Sequence, residues 1–259
     1  MPKRTIWNSD PVSGLLTRNQ QRFNDELKSD NRRWLFSPGV VGGQRVTLPL
    51  IEKYAHGKVI DIGCGEMPYR DVVLGRGLQY DSIDVERRHP DVRFIGDIEN
   101  MDVLGNESYD TVLCLQVLEH VAHPFKVVRE IHRILRPGGT LILSVPHLSR
   151  LHEEPRDFFR YTKHALRSMF EESGYEVVEI THHGGLFCFL GHQLSTMLVL
   201  AVWHIPVLKH VAFFLNRWLI TEACWGLDKL VDRKKLFALG YSCVYRKAVA
   251  GQSTGFAGG

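Results

Sequence analysis

The sequence predicts an α/β protein built on a doubly wound parallel sheet with helices on both faces. Three observations predict it. Val59-Ile60-Asp61-Ile62-Gly63-Cys64-Gly65 reads as a buried strand ending in a tight turn, where two glycines let a ligand approach the backbone. Strand and helix patterns alternate from Lys58 to Ile180. Asp84 ends the second strand about twenty residues after the glycine turn, where such sheets place an acidic residue against a ribose.

Residues 1–56 read as a mostly helical N-terminal extension. Asn19–Asn31 is strongly polar, and Trp34-Leu35-Phe36 follows as an apolar anchor. Ser37-Pro38-Gly39 and Gly42-Gly43 are turn signals; a short helix then carries Val46, Leu50, Ile51 and Tyr54 inward. Lys58–Ile62 is the first strand, and Pro68 starts a helix over Tyr69–Leu74. Tyr80–Val85, Val92–Ile95 and Tyr109–Leu115 are the next three strands. Pro124 opens a helix with Phe125, Val128, Ile131 and Leu135 at helical spacing. Pro137-Gly138-Gly139 ends it, and Thr140–Val145 is the fifth strand. Thr162 caps a helix carrying Leu166, Met169 and Phe170, which Gly174 closes. Tyr175–Ile180 is the sixth strand, and Ala238–Tyr245 the last. The expected organisation is a core at 57–183 and 238–247, an apolar helical insertion at 184–237, and a flexible tail at 248–259.

The chain has 259 residues, 44% hydrophobic and 24% charged, enough for one substantial core. A formal net charge of +3, with basic residues scattered among acidic ones, gives no reason to expect nucleic acid. Five widely spaced cysteines without a Cys-x-x-Cys pair argue against a disulfide framework or a thiolate zinc site, and for a reducing compartment. Met1-Pro2-Lys3-Arg4 leads into polar residues, so no secretory leader is expected and the location is read as cytoplasmic, either free or peripheral on the inner face of a membrane.

A carboxylate suits a vicinal diol, so Asp84 is the ribose candidate; the plain alternative is an exposed strand-end Asp. Asp97, in Ile95-Gly96-Asp97-Ile98, can accept from an exocyclic amine such as adenine's, or it is a turn Asp. These features, with Tyr109-Asp110, Leu115-Gln-Val-Leu-Glu-His120 and Leu135-Arg-Pro-Gly-Gly139, resemble class I S-adenosylmethionine-dependent methyltransferases over about residues 57–181. The resemblance implies a Rossmann-like seven-stranded sheet with an antiparallel last strand. It also implies S-adenosylmethionine as cofactor and S-adenosylhomocysteine as product. Carried over, Asp61, Gly63, Cys64 and Gly65 line the methionine and ribose end, Asp84 and Val85 take the ribose, Asp97 and Ile98 the adenine, and Leu115 and Gln116 the methionine portion. One departure is Met67, where many members have a third glycine. Met67 and the amide-less Pro68 also weaken any pyrophosphate site, which separates this turn from a dinucleotide one.

The acceptor is expected over Pro146–Thr162. His152, Pro155, Asp157, Arg160 and Thr162 resemble a pattern of bacterial methyltransferases from surface-polysaccharide and glycolipid gene clusters. His152 is the preferred general base because imidazole titrates near neutrality, His147 is second and Asp157 third. Asp157 and Arg160 can instead form an ion pair that shapes the loop. Glu119, His120, Arg160 and Tyr161 are the substrate-side candidates; Glu119 and His120 can also be a helix-start pair. His123-Pro124 reads as a helix start. No His/Asp/Glu cluster shows ligand spacing, so no metal is expected.

Leu186–Ile220 is mostly apolar. A transmembrane span is disfavoured by Gln193, His204 and Pro206. A lid over an apolar acceptor and an interfacial helical pair anchored by Trp203, Trp218 and Trp225 both remain, as does a dimer interface. The expected function is methyl transfer, preferably to oxygen, on an amphipathic or lipid-linked acceptor: a glycolipid or polysaccharide precursor, or a quinone-like ring. The rivals are a methyltransferase of a soluble small molecule, with the insertion as a lid, and a non-catalytic binding module on the same fold.

Overall fold

A computed structural model describes residues 11–27, 35–232 and 234–249. Trp34, the first ten residues and the glycine-rich tail from 250 lie outside them. The chain divides into two compact units, residues 45–182 with 240–259, and residues 1–44 with 183–239.

The first unit is built on a seven-stranded sheet. Its strands are β1 (Lys58–Ile62), β2 (Gln79–Asp84), β3 (Phe94–Ile95), β4 (Tyr109–Leu115), β5 (Leu135–Pro146), β6 (Tyr175–His183) and β7 (Gly240–Lys247), in the order β3-β2-β1-β4-β5-β7-β6. The pairs β1–β2, β1–β4, β2–β3 and β4–β5 are parallel, while β7 runs antiparallel to β5 in the register Thr140↔Arg246. The chain order reverses between β1 and β4, and doubly wound sheets bind ligands outside the carboxyl ends of strands at such a reversal. Ile51, Val59, Val73, Leu113, Ile142 and Val244 belong to the core. β1 has four buried residues in its five, which is why it reads as a continuous apolar run rather than an alternation.

The helices of this unit are α3 (Arg70–Leu74), α4 (Pro124–Ile134) and α5 (Lys163–Glu171), together with the C-terminal part of α2 (Pro38–Tyr54). Thr162 caps α5 as expected, its hydroxyl accepting from Ala165 N at 3.1 Å. Two expectations are corrected here. α4 buries Val127, Val128, Ile131 and Ile134, while Phe125 is half exposed and Leu135 has already joined the sheet. Pro137-Gly138-Gly139 lies inside β5, not between helix and strand. Leu135 pairs with Tyr109, the register then shifts, and Thr140 pairs with Thr111. A Cβ on Gly139 would lie 3.2 Å from Asp110 O and 2.8 Å from Arg136 O, so glycine lets the strand close back onto β4.

The second unit contains α1 (Pro11–Leu27), the start of α2, α6 (Leu186–Val202), α7 (Pro206–Leu215), a π-helical turn at Asn216–Thr221 and α8 (Glu222–Leu230). Gly42 and Gly43 are helical residues of α2, not a turn. A Cβ on Gly42 would meet the Trp225 ring at 2.7 Å, and one on Gly39 the His192 ring at 2.8 Å. These glycines serve close packing, at about 1 kcal/mol each in helix propensity. Phe23, Leu27, Val199, Leu200 and Trp203 form this unit's core. Asp228 caps α6 by accepting from Phe187 N and Cys188 N. Among the described residues, no helix is long and apolar enough to cross a membrane.

Candidate active site

The glycine turn follows β1. Gly63 and Gly65 have φ of 66° and 51°, in the left-handed region that favours glycine. A Cβ on Gly63 would strike Val117 at 2.5 Å, whereas one on Gly65 would meet nothing within 4 Å. Gly65 therefore faces open space on its Cβ side, a cradle that a side chain would fill. Met67, the departure from the three-glycine pattern, also adopts positive φ, 54°. Its side chain is buried with Cys64 and Val92, which offsets a backbone cost of about 1–2 kcal/mol.

Asp84, at the end of β2, is buried and accepts from Gly65 N at 2.8 Å and Glu86 N at 3.1 Å, one through each oxygen. It thus pins the glycine turn, and each oxygen has a second lone pair for a hydroxyl. Asp61 is buried and accepts from the Tyr80 hydroxyl at 2.7 Å. Burial pushes its carboxyl up to about 7, with Tyr80 pulling down and the Asp84 charge adding to the rise. Burial also raises the Cys64 thiol to about 12, so Cys64 packs rather than reacts. Val85 is exposed beyond β2. Asp97 is exposed and accepts from Glu99 N at 2.8 Å, the turn geometry allowed for in the sequence, while Ile98 beside it is buried. Leu115 is buried at the end of β4. Gln116 follows with φ 59°, its amide held by the Ser144 hydroxyl at 2.9 Å.

The acceptor-side residues converge beyond β4 and β5. Glu119 sits in a 3₁₀ turn, Leu118–His120, with its side chain wholly buried and neither oxygen hydrogen-bonded among the described residues. His120 Nε2 and His152 Nε2 approach Glu119 Oε1 at 3.7 and 3.8 Å, too long for hydrogen bonds. Burial disfavours a charged His152, but Glu119 and then Asp157 outweigh it and hold the ring's pKa above its ordinary value. The loop that carries His152 is tied down. Phe158 N donates to Glu119 O at 2.9 Å, and the Tyr161 hydroxyl to Leu118 O at 3.0 Å. Arg160 grips both oxygens of Asp157 at 2.6 and 2.7 Å and reaches the carbonyls of Ser149 and Arg150. Asp157 also accepts from His152 N at 2.8 Å.

The Arg160 guanidinium and the other donors hold the Asp157 carboxyl far below its ordinary range. The loop-shaping ion pair allowed for in the sequence is thus present between Asp157 and Arg160. His147 stands apart, against Tyr241 at 5.5 Å between rings, and burial lowers its pKa. The expectation that no His/Asp/Glu cluster converges is corrected: the ligand atoms of Glu119, His120 and His152 lie within 4.8 Å of one another. Spacing could not show this, because a long loop brings His152 back. Tyr80 and Ser144 were missed; each is placed by strand register, which the sequence does not state.

A sheet of this order, with an antiparallel last strand and a glycine turn beside a strand-end acid, defines the S-adenosylmethionine-dependent methyltransferase class. The chain belongs to the methyltransferase-domain family, whose model matches residues 16–180. It is 35% identical over 101 residues to a ubiquinone biosynthesis O-methyltransferase of Pseudomonas aeruginosa, covering 34% of this chain and 43% of that protein. It is 28% identical over 158 residues to a protein of the same name from Xanthomonas oryzae, covering 53% and 64%. The match thus spans less than two thirds of either relative. A SAM-dependent methyltransferase from Archaeoglobus fulgidus shares the fold at 15% identity with a TM-score of 0.55, covering 88% of this chain and 99% of that one.

Proposed function

We propose that this chain transfers the methyl group of S-adenosylmethionine to a hydroxyl oxygen of an amphipathic acceptor, a quinone-like ring or a lipid-linked sugar. The observation that carries the choice of oxygen is the convergence of His120 and His152 on the buried Glu119. A hydroxyl must shed its proton as it attacks, and this cluster is the place for it. Relatives named O-methyltransferases of ubiquinone biosynthesis support the same reading.

The cofactor supplies a sulfonium methyl carbon open to in-line attack, with sulfur taking the electron pair. This chain's residues bind and orient. The open Cβ side of Gly65 would allow close approach, Asp84 would accept from the ribose hydroxyls, and Asp61 would face the cationic methionine end. Ile98 would pack against adenine and Gln116 would line the methionine portion. Arg160, through Asp157, holds the His152 loop against Glu119.

An apolar groove of about 390 Å³, lined by Phe125, Phe159, Tyr161 and Met169, shares Phe159 and Tyr161 with that loop and suits the acceptor's apolar part. In the helical unit, Met197, Val207, Phe214, Trp218 and Leu219 are exposed, a surface suited to an acceptor presented at a membrane.

The test compares lipid extracts of cells with the chain, without it, and with His152→Ala, using mass spectrometry to find a species heavier by one methylene. The species should appear only with the native chain, while His152→Ala retains normal cofactor affinity by calorimetry. Its appearance at full level with His152→Ala removes the cluster from the reaction.

A further inference from the structure

Glu119, His120 and His152 are, among the described residues, the only His, Cys, Asp or Glu side chains whose ligand atoms converge as a group of three. We propose that they bind a divalent first-row cation of zinc or manganese type through Glu119 Oε1, His120 Nε2 and His152 Nε2. Two imidazoles and one carboxylate form a donor set that such ions take while keeping positions open.

The geometry favours this over a bare charge pair. Both imidazole nitrogens stop 3.7–3.8 Å from the same oxygen. An imidazolium paired to Glu119 would close to hydrogen-bonding distance. In a tetrahedral site with bonds near 2.1 Å, neighbouring ligand atoms lie about 3.4 Å apart, so each imidazole need close on Glu119 Oε1 only by tenths of an ångström, and the three ligand atoms already lie within 4.8 Å of one another. The two rings meet edge to face, 4.8 Å apart at 81°, which turns them toward a common point instead of stacking them.

The outer contacts fit as well. His120 Nδ1 lies 2.6 Å from Arg156 O, a pure acceptor, so the proton sits on Nδ1 and the Nε2 lone pair faces Glu119. His152 Nδ1 lies 3.4 Å from Arg150 O and 3.6 Å from Asp157 Oδ2, both acceptors. The Arg160 guanidinium is also 3.4 Å from that nitrogen, but its hydrogens are already directed at those same two acceptors. Glu119 itself is wholly buried with no hydrogen bond to either oxygen, a state that burial penalises unless a cation offsets it.

The cation's part in the reaction rests on the O-methylation reading above; its binding does not. A hydroxyl in an open coordination position would become more acidic and lose its proton to water. The oxygen then forms its bond to the methyl carbon as the carbon–sulfur bond breaks toward sulfur. In that case His152 is a ligand and not the base.

The experiment uses the full chain stripped by chelator. Zn²⁺ is titrated by calorimetry and Co²⁺ by its visible absorption, and S-adenosylmethionine binding is measured on the same samples. The expected result is a single equivalent of metal without a thiolate charge-transfer band. Binding should weaken by roughly 100-fold or more in Glu119→Gln and in His120→Ala, and stay unchanged in His164→Ala, an exposed histidine elsewhere. Glu119→Gln is nearly isosteric, and the Co²⁺ spectrum of the native chain reports its ligands directly. Absence of stoichiometric metal, or equal affinity in native chain and Glu119→Gln, overturns the site. Metal binding without S-adenosylmethionine binding supports the site and overturns the methyl-transfer reading instead.

Discussion

Asp84 and Glu119 are two buried carboxylates beyond the carboxyl ends of parallel strands, and their surroundings are opposite. Asp84 gives each oxygen a backbone donor, Gly65 N and Glu86 N, both from turns next to it in the sheet. Glu119 has no donor on either oxygen and two imidazoles held just out of reach. An unsatisfied buried carboxylate costs stability, so on the proposed reading Glu119 is a place where the fold gives up stability for a function. Asp84 serves the fold, and on the proposed reading its ligand as well. Its contacts organise the glycine turn even before a ribose is considered.

The largest effect that could break this contrast is Glu119→Gln. Its turnover should fall by about 10²–10⁴-fold, the range for disabling the cluster at which the reacting proton is lost. Thermal unfolding should show the variant as stable as the native chain or more so, because a buried charge without hydrogen bonds has been removed. A clear fall in melting temperature with normal turnover would make Glu119 a structural residue. Asp84→Ala should behave in the reverse way. Cofactor affinity should weaken by about 1.5–3 kcal/mol, roughly 10- to 150-fold, and stability should fall as Gly65 N and Glu86 N lose their acceptor. Calorimetry with S-adenosylmethionine checks the first, and unchanged affinity would end the ribose role.

The same contrast explains what could be read from the chain. Lys58–Ile62 and Tyr109–Leu115 end where the sequence placed them, because buried strands are continuous apolar runs bounded by polar residues. Asp84 was legible through its spacing from Gly65. Glycines were misread wherever a distant partner set their role. Gly42 packs against Trp225, and Gly139 lets β5 close on the backbone of β4. Each acceptor-side residue was singled out, but not how they meet. Asp157 and Arg160 could be read from the sequence as site residues or as a loop-shaping ion pair, and in the structure their pairing locks the loop that returns His152 to Glu119. Convergence depends on that loop's path, and no periodicity or spacing encodes it.

The smallest expected effect concerns Asp61, which lies between the two cases: buried, with one hydroxyl donor and a carboxyl raised from 3.8 to about 7. In the ligand-free protein Asp61 is therefore largely protonated below neutrality. A cationic methionine end beside it favours the ionised form, so binding should expel a proton at pH 6 and scarcely any at pH 8. Cofactor affinity should accordingly rise with pH up to about 7 and then level, by at most about tenfold per pH unit. Calorimetry at pH 6 in two buffers of different ionisation enthalpy measures the proton directly. Identical heats in both buffers would show that Asp61 keeps its proton when the cofactor binds. The cation-facing role would then pass from Asp61 to another group, and Tyr80 would be a donor to a permanently neutral acid.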